Sequence, residues 1–179
     1  YFIGIDYGYS NNTGRLVVGK NGNRLTVIDE YYKSKLLLRD IVAKVVEFNN
    51  KYNYATIVYD PSAAMVGAEL ENIELSPIKA NNDVQGGIDR IRNRLQIRND
   101  SPDLLISDFC VNTIKEMENY QYQSGTEKPI KVGDHLIDPL RYIVNFVDDQ
   151  KPNTSRLVLL SAEDEIWYIS IIIMKIVVM

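Results

Sequence analysis

The run Arg15-Leu16-Val17-Val18-Gly19-Lys20-Asn21-Gly22-Asn23-Arg24-Leu25-Thr26-Val27-Ile28-Asp29-Glu30-Tyr31 decides how the chain begins to fold. Arg15–Lys20 and Arg24–Tyr31 are rich in β-formers, and the Asn-Gly pair in Asn21-Gly22-Asn23 is a strong hairpin signal. Upstream, Phe2–Tyr7 reads as a further strand, joined to the hairpin by a Gly-, Ser- and Asn-rich loop at Gly8–Gly14. Three antiparallel strands therefore open the chain.

Downstream the period changes. Leu37, Ile41, Lys44, Val45 and Phe48 recur at helical spacing, which predicts an amphipathic helix over Leu36–Tyr52. Ala55–Tyr59 is a short, continuously apolar strand of the kind buried on both faces. Asp60-Pro61 follows it and reads as the cap and first position of a helix over 61–72. Ser76–Lys79 is a brief strand. Asn82 or Asp83 caps a helix carrying Val84, Ile88, Ile91 and Leu95. Leu104–Ser107 is a candidate short strand, Cys110–Tyr120 a helix, Gln121–Gly133 a polar loop and Asp134–Val147 a last helix. Three strands, helix, strand, helix, strand and helices is the order of an RNase H-like α/β fold. In that fold an antiparallel meander and parallel strands form a mixed five-stranded sheet flanked by helices.

Composition narrows the chemistry. The 179 residues include 24 acidic and 20 basic side chains but one Cys and one His, Cys110 and His135. Zinc sites draw three or four ligands from those residue types, and a disulfide needs two thiols, so both are excluded. Metal chemistry must rest on carboxylates, whose hard oxygens suit Mg²⁺ or Mn²⁺. A net charge of −4 argues against indiscriminate nucleic-acid binding through bulk charge and leaves room for a local basic patch. The chain opens directly on an apolar strand without an initiator Met, as a domain cut from a longer protein does. The apolar stretch from Ile166 to Met179 carries Lys175 and is too short to span a bilayer.

Four acids stand out by position. Asp6 lies in the first strand, Asp60 at the carboxyl end of the fourth, and Asp134 and Asp138 flank the last helix start, four residues apart. On a helix, that spacing stacks two like charges on one face, where a divalent cation relieves the repulsion. Each acid also has a purely structural use. Asp60 serves as a cap, Asp6 as a strand-end residue turning into a loop, and the last pair as a helix start with Asp138 as N-cap and Pro139 at the first helical position.

The segments Gly4-Ile5-Asp6-Tyr7-Gly8, Val58-Tyr59-Asp60-Pro61-Ser62-Ala63-Ala64, Ala80-Asn81-Asn82-Asp83-Val84 with Gly87-Ile88, and Asp134-His135-Leu136-Ile137-Asp138-Pro139-Leu140-Arg141-Tyr142 resemble, in order, the nuclease domain of tailed-bacteriophage terminase large subunits. The resemblance covers about residues 1–147. Its most specific part is the last segment, where Pro139 replaces the family's usual Ala. It implies an RNase H-like endonuclease that cuts concatemeric double-stranded viral DNA during packaging with two divalent cations, Mg²⁺ or Mn²⁺. Two such ions serve the attacking and leaving oxygens of a phosphodiester. On this footing Asp6 is the bridging ligand and Asp60 a ligand of one ion. Asp138 or Asp134 closes the other, Asp138 being the better match to the family's third acid. His135, three residues before Asp138, is a candidate ligand or proton shuttle.

The resemblance further implies an amino-terminal ATPase motor domain, a small terminase subunit and a portal as partners, and the host bacterial cytoplasm as the place of action. Gly19-Lys20-Asn21-Gly22 lacks the ending of a Walker A loop, so the motor is not within this chain.

Arg90, Arg94 and Arg98 recur every four residues and with Lys79 form a candidate DNA-phosphate track. Two other functions use similar signals. A Holliday-junction resolvase or RNase H-type enzyme shares the carboxylates, and an ASKHA-type ATP-binding module begins with a similar Gly-Ile-Asp-x-Gly loop. An inactive scaffold would keep the fold without the acids. Residues 148–179 read as an extension of unknown role: a linker from Asp148 to Asn153, then β-prone runs over Arg156–Leu160 and Glu165–Met179.

Overall fold

The structure, a computed structural model, describes residues 1–8, 12–98, 100–121 and 133–150. The hairpin forms between β2 (Asn12–Asn21) and β3 (Arg24–Ser34), both longer than the pattern suggested. Asn21 pairs with Arg24, so Gly22-Asn23 is the two-residue loop. Within that loop positive φ falls on Gly22 alone, as a type II′ turn requires. β1 (Phe2–Asp6) pairs antiparallel with β2, completing the meander.

The parallel part follows. α1 (Leu38–Lys51) buries Ile41, Val45 and Phe48 and returns the chain to β4 (Thr56–Tyr59), parallel to β1. α2 (Ala64–Asn72) leads to β5 (Ile78–Lys79), parallel to β4. α3 (Val84–Leu95) crosses to β6 (Leu104–Ile106), parallel to β3, and α4 (Val111–Asn119) and α5 (Ile137–Asp149) complete the described elements. The sheet order is β5-β4-β1-β2-β3-β6. This is the expected mixed RNase H-like architecture with six strands rather than five. The sixth, whose first residue pairs with Leu25 and is buried, extends the β3 edge.

Alternation sorts each strand between two cores. Ile3, Ile5, Val17, Ile57 and Tyr59 face α1 and α2, whereas Leu16, Val18, Leu25 and Val27 face Ile91 of α3 and Leu140, Ile143 and Val144 of α5. The result is three layers, helices on both sides of one sheet. Residues Tyr1–Asp149 form one compact unit. No helix among the described residues is long and apolar enough to cross a membrane.

Two helix starts and one helix end differ from expectation. Asp60-Pro61 opens a turn instead of α2, which begins at Ala64. The Asp60 carboxylate accepts from Ser62 N (2.9 Å) and Ser62 Oγ (2.6 Å), an Asx-type turn that satisfies it locally. Asp138 is not the N-cap of α5, because Ile137 already begins the helix and Pro139 is its third residue. Pro is tolerated there because, so near the start of the helix, its missing amide leaves only the His135 carbonyl without a helical partner. The linker expected from Asp148 begins later, because α5 runs through Asp149. The α3 cap is Asp83, which accepts from Gly86 N. Most of the loop expected over Gln121–Gly133, and the runs Arg156–Leu160 and Glu165–Met179, lie outside the described residues.

Arg15 is an anomaly of the α1-side core. It is 0% exposed, its guanidinium lies 5.0 Å from the Tyr31 ring centroid, and none of its three side-chain nitrogens has a hydrogen-bond partner among the described residues. Burial lowers its pKa to about 10. An unpaired buried cation is costly, and an apolar side chain of similar volume is often neutral or stabilising by about 1–4 kcal/mol. Arg15→Met is therefore expected to match or exceed the wild type in urea unfolding. A clear loss of stability would show that the guanidinium is paired after all.

Candidate functional site

Parallel pairing places two of the four acids side by side. β1 and β4 run the same way with Ile5 opposite Tyr59, and Asp60 N donates to Ile5 O (3.0 Å), so Asp6 and Asp60 leave adjacent strands at one sheet edge. Asp6 follows Gly4 in the alternation and points to the α5 side, away from Ile3 and Ile5.

The other two arrive on the turn that begins α5, where Asp138 N donates to Asp134 O (2.9 Å). Two glycines permit the approach. A Cβ on Gly14, the residue opposite Asp6, would lie 1.7 Å from His135 O, and one on Gly4 would lie 2.6 Å from Pro139 O. Pro139 contributes to the first of these contacts. It has no N–H, so the carbonyl of His135, four residues back, carries no helical hydrogen bond from it and can press against Gly14. His135 Nδ1 thereby reaches 3.5 Å from Asp6 Oδ2, an electrostatic contact longer than a well-formed hydrogen bond.

The electrostatics record this convergence. The Asp6 pKa rises to about 8, first through burial and then through the negative charges of Asp138, Asp60 and Asp134, with Arg141 opposing. The Tyr142 hydroxyl is also pushed up, by burial and then by Asp138, Asp60 and Asp6. Asp6 thus senses Asp60, Asp134 and Asp138 although they come from other elements. Among the described residues, no group of three His, Cys, Asp or Glu side chains stands ready to hold a metal ion. Two of the acids are turned elsewhere, Asp60 to Ser62 and Asp138 to Arg141. As a donor set, hard oxygens that repel one another suit a divalent cation, which reverses the sign of that repulsion.

Arg141 belongs to the site although its role was not legible beforehand. It is 2% exposed and donates through Nε and Nη2 to Asp138 Oδ1 (3.1 and 2.8 Å) and through Nη2 to Asn82 Oδ1 (3.0 Å). Asn145 Nδ2 donates to the carbonyls of Asn81 (3.1 Å) and Asp83 (3.2 Å). The Asn81-Asn82-Asp83 segment is therefore the cradle that orients Arg141, and through it Asp138. The i, i+3 spacing of Asp138 and Arg141 was the available signal.

The basic stripe is largely taken up by structure. Arg94 is buried and pairs with Asp148 through Nε (3.1 Å) and Nη2 (2.5 Å), while also donating to Asn23 O (2.8 Å). Arg90 pairs with Asp149 at 2.8 Å and with Asn145 O at 3.1 Å. Both tie α3 to α5, Arg94 from a buried position and Arg90 from a partly exposed one. Arg98 is exposed and donates to Gln96 Oε1 (3.0 Å). Lys79 is exposed on β5 opposite Tyr59, next to the Asp60 edge.

Two outcomes test this geometry. Gly14→Ala forces the α5 turn off the sheet and is expected to cost about 1–3 kcal/mol in urea unfolding, as overpacking does. The second concerns pH. Folded protein keeps the Asp6 proton up to about pH 8, unfolded chain only to about 3.8. The folded state binds more protons between these values, so the contribution is full below the lower one and is lost as pH rises through the higher. Metal-free protein is expected to lose stability from about pH 5 to about pH 9, and Asp6→Asn to flatten that slope.

No protein-family model matches the chain, and no curated protein sequence matches it. Solved structures do. The large terminase of the thermophilic bacteriophage D6E, in complex with ADP, is 27% identical with a TM-score of 0.74, covering 82% of this chain and 39% of that one. The chain thus spans about two fifths of that relative's length. The large terminase nuclease domain of bacteriophage SPP1 with bound Mn is 26% identical at a TM-score of 0.58, covering 83% of this chain and 85% of that one. The large terminase nuclease of thermophilic phage G20c with bound magnesium shares the fold at 13% identity and a TM-score of 0.65, covering 82% and 80%. The chain has the RNase H-like fold of large-terminase nuclease domains and resembles them over most of its length.

Proposed function

We propose that residues 1–147 form a divalent-metal-dependent endodeoxyribonuclease domain that cuts double-stranded viral DNA concatemers during genome packaging. The observation that carries this reading is the approach of Asp6, Asp60, Asp134 and Asp138 from the ends of β1 and β4 and from the α5 turn, through the parallel β1–β4 pairing and the close contact of that turn with Gly14 and Gly4. The likeness to the SPP1 nuclease domain with bound Mn supports it.

Asp6, central and largely buried, would bridge two Mg²⁺ or Mn²⁺ ions; Asp60 would hold one, and Asp138 or Asp134 the other. The ions supply the Lewis acidity that makes a water nucleophilic and neutralises the leaving oxyanion. Arg141 would keep the Asp138 carboxylate oriented, itself held by Asn82 and the Asp83 carbonyl. His135, 3.5 Å from Asp6, would serve as a metal ligand or a proton shuttle. Lys79 offers a charge to the DNA backbone beside the acidic edge, where phosphate contacts need no base reading. An ATPase motor domain, a small terminase subunit and a portal complete the assembly in the host cytoplasm on this reading. A junction resolvase would use the same acids, and substrate preference separates the two.

The test is cleavage of supercoiled plasmid with Mn²⁺, Mg²⁺ or EDTA. Wild type is expected to cut with either ion and not with EDTA. Asp6→Asn and Asp60→Asn are expected to lose about 100-fold or more, since metal sites supply several kcal/mol to the transition state. Whichever of Asp134→Asn and Asp138→Asn loses as much is the third ligand. Undiminished cutting by Asp6→Asn, or a preference for four-way junctions over plain duplex, would overturn the reading.

A further inference from the structure

Glu116 of α4 is a buried acid outside the four-carboxylate set, 7% exposed. Its Oε2 accepts from Leu136 N (2.7 Å) and Ile137 N (3.3 Å), the amides that open α5. It reaches them from another element, 20 residues earlier in the chain. α4 is itself anchored to the sheet by a second glutamate. Glu30 of β3 accepts at Oε1 from Asn112 N (2.9 Å) and Nδ2 (2.7 Å), and at Oε2 from Thr113 N (2.8 Å) and Oγ1 (2.7 Å). Two carboxylates in series therefore tie β3 to α4 and α4 to the turn carrying Asp134, His135 and Asp138.

The tie acts where one is needed. Asp6 and Asp60 are fixed by the sheet ladder, whereas the α5 turn brings two further negative charges toward them and is repelled by them. Gly14 and Gly4 permit the approach but exert no attraction. A carboxylate accepting two helix-opening amides makes charge-assisted bonds, about twice as strong as neutral ones.

We propose that Glu116 is a positioning residue of the active site, holding the 134–138 turn against Asp6 by capping the start of α5. The inference rests on the nuclease reading for its consequence in catalysis, while the tie can be read without metal or DNA. His135 is the only histidine, so its ring protons give isolated NMR signals that report on Asp6 at 3.5 Å.

In metal-free protein, Asp6→Asn is expected to shift the His135 ring signals. Glu116→Ala is expected to abolish that response and to speed amide exchange at Leu136 and Ile137 about 10-fold or more, the factor for losing a bond to a charged group. Glu116→Asp, one methylene shorter but equally charged, should do the same if the Ala variant folds poorly. Glu116→Gln, which keeps an acceptor at the right reach, should restore the response. In calorimetric Mn²⁺ titration the Ala and Asp variants should bind about 10-fold more weakly, and in cleavage they should lose kcat while the KM for DNA stays unchanged. An intact Asp6 response and unchanged amide exchange in the Ala or Asp variant would overturn the proposal. Wild type that cuts no DNA with any ion would overturn the nuclease reading, while the NMR and exchange outcomes would still decide whether Glu116 holds the turn.

Discussion

Everything at the acidic edge depends on how closely the first turn of α5 can lie on β1 and β2. The sheet alone delivers Asp6 and Asp60, because parallel neighbours end at the same edge. Asp134, His135 and Asp138 reach them only because Gly14 and Gly4 leave room for the His135 and Pro139 carbonyls. Pro139 belongs to the same constraint. By lacking an amide it leaves the His135 carbonyl without that helical partner, and the glycine surface accepts the close contact.

The closeness creates an electrostatic penalty in the metal-free protein. Burial and three neighbouring charges lift the Asp6 pKa to about 8, and Arg141 offsets them only in part. That arginine is already engaged by Asp138 and Asn82, so its capacity is largely used in orientation. Arg90 and Arg94 face away from this problem, tying α3 to the end of α5 through Asp149 and Asp148. Arg90 and Arg94 thus fix helices, and at the acidic site Arg141 is the cation that opposes the charge around Asp6.

Much of this was legible in the residues. The Asn-Gly hairpin signal, the switch from period 2 to period 3.6 after Leu36 and the apolar Ala55–Tyr59 run each reflect local backbone and burial preferences, and each became an element near the expected place. Leu104–Ile106 was harder to count as a strand, since three residues carry almost no period and its pairing with β3 is decided some 80 positions away. Asp60 looked like a helix cap because Asp before Pro commonly is one, but Ser62 offered its carboxylate two nearer donors. The partners of the α3 arginines were not legible, because a helical spacing says which residues share a face and nothing about what meets that face.

Sequence by itself determined the order of strands and helices and the stock of donor atoms, one thiol and one imidazole beside 24 carboxylates. These follow from local propensity and from which donor atoms exist at all. Tertiary structure alone decided which charges are engaged. Arg94 is clamped by Asp148, Arg141 by Asn82, and Glu116 by the amides of α5. Such pairings join positions that folding brings together across tens of residues, and a buried charge is held by whatever partner lies within reach, a distance that no spacing along the chain encodes.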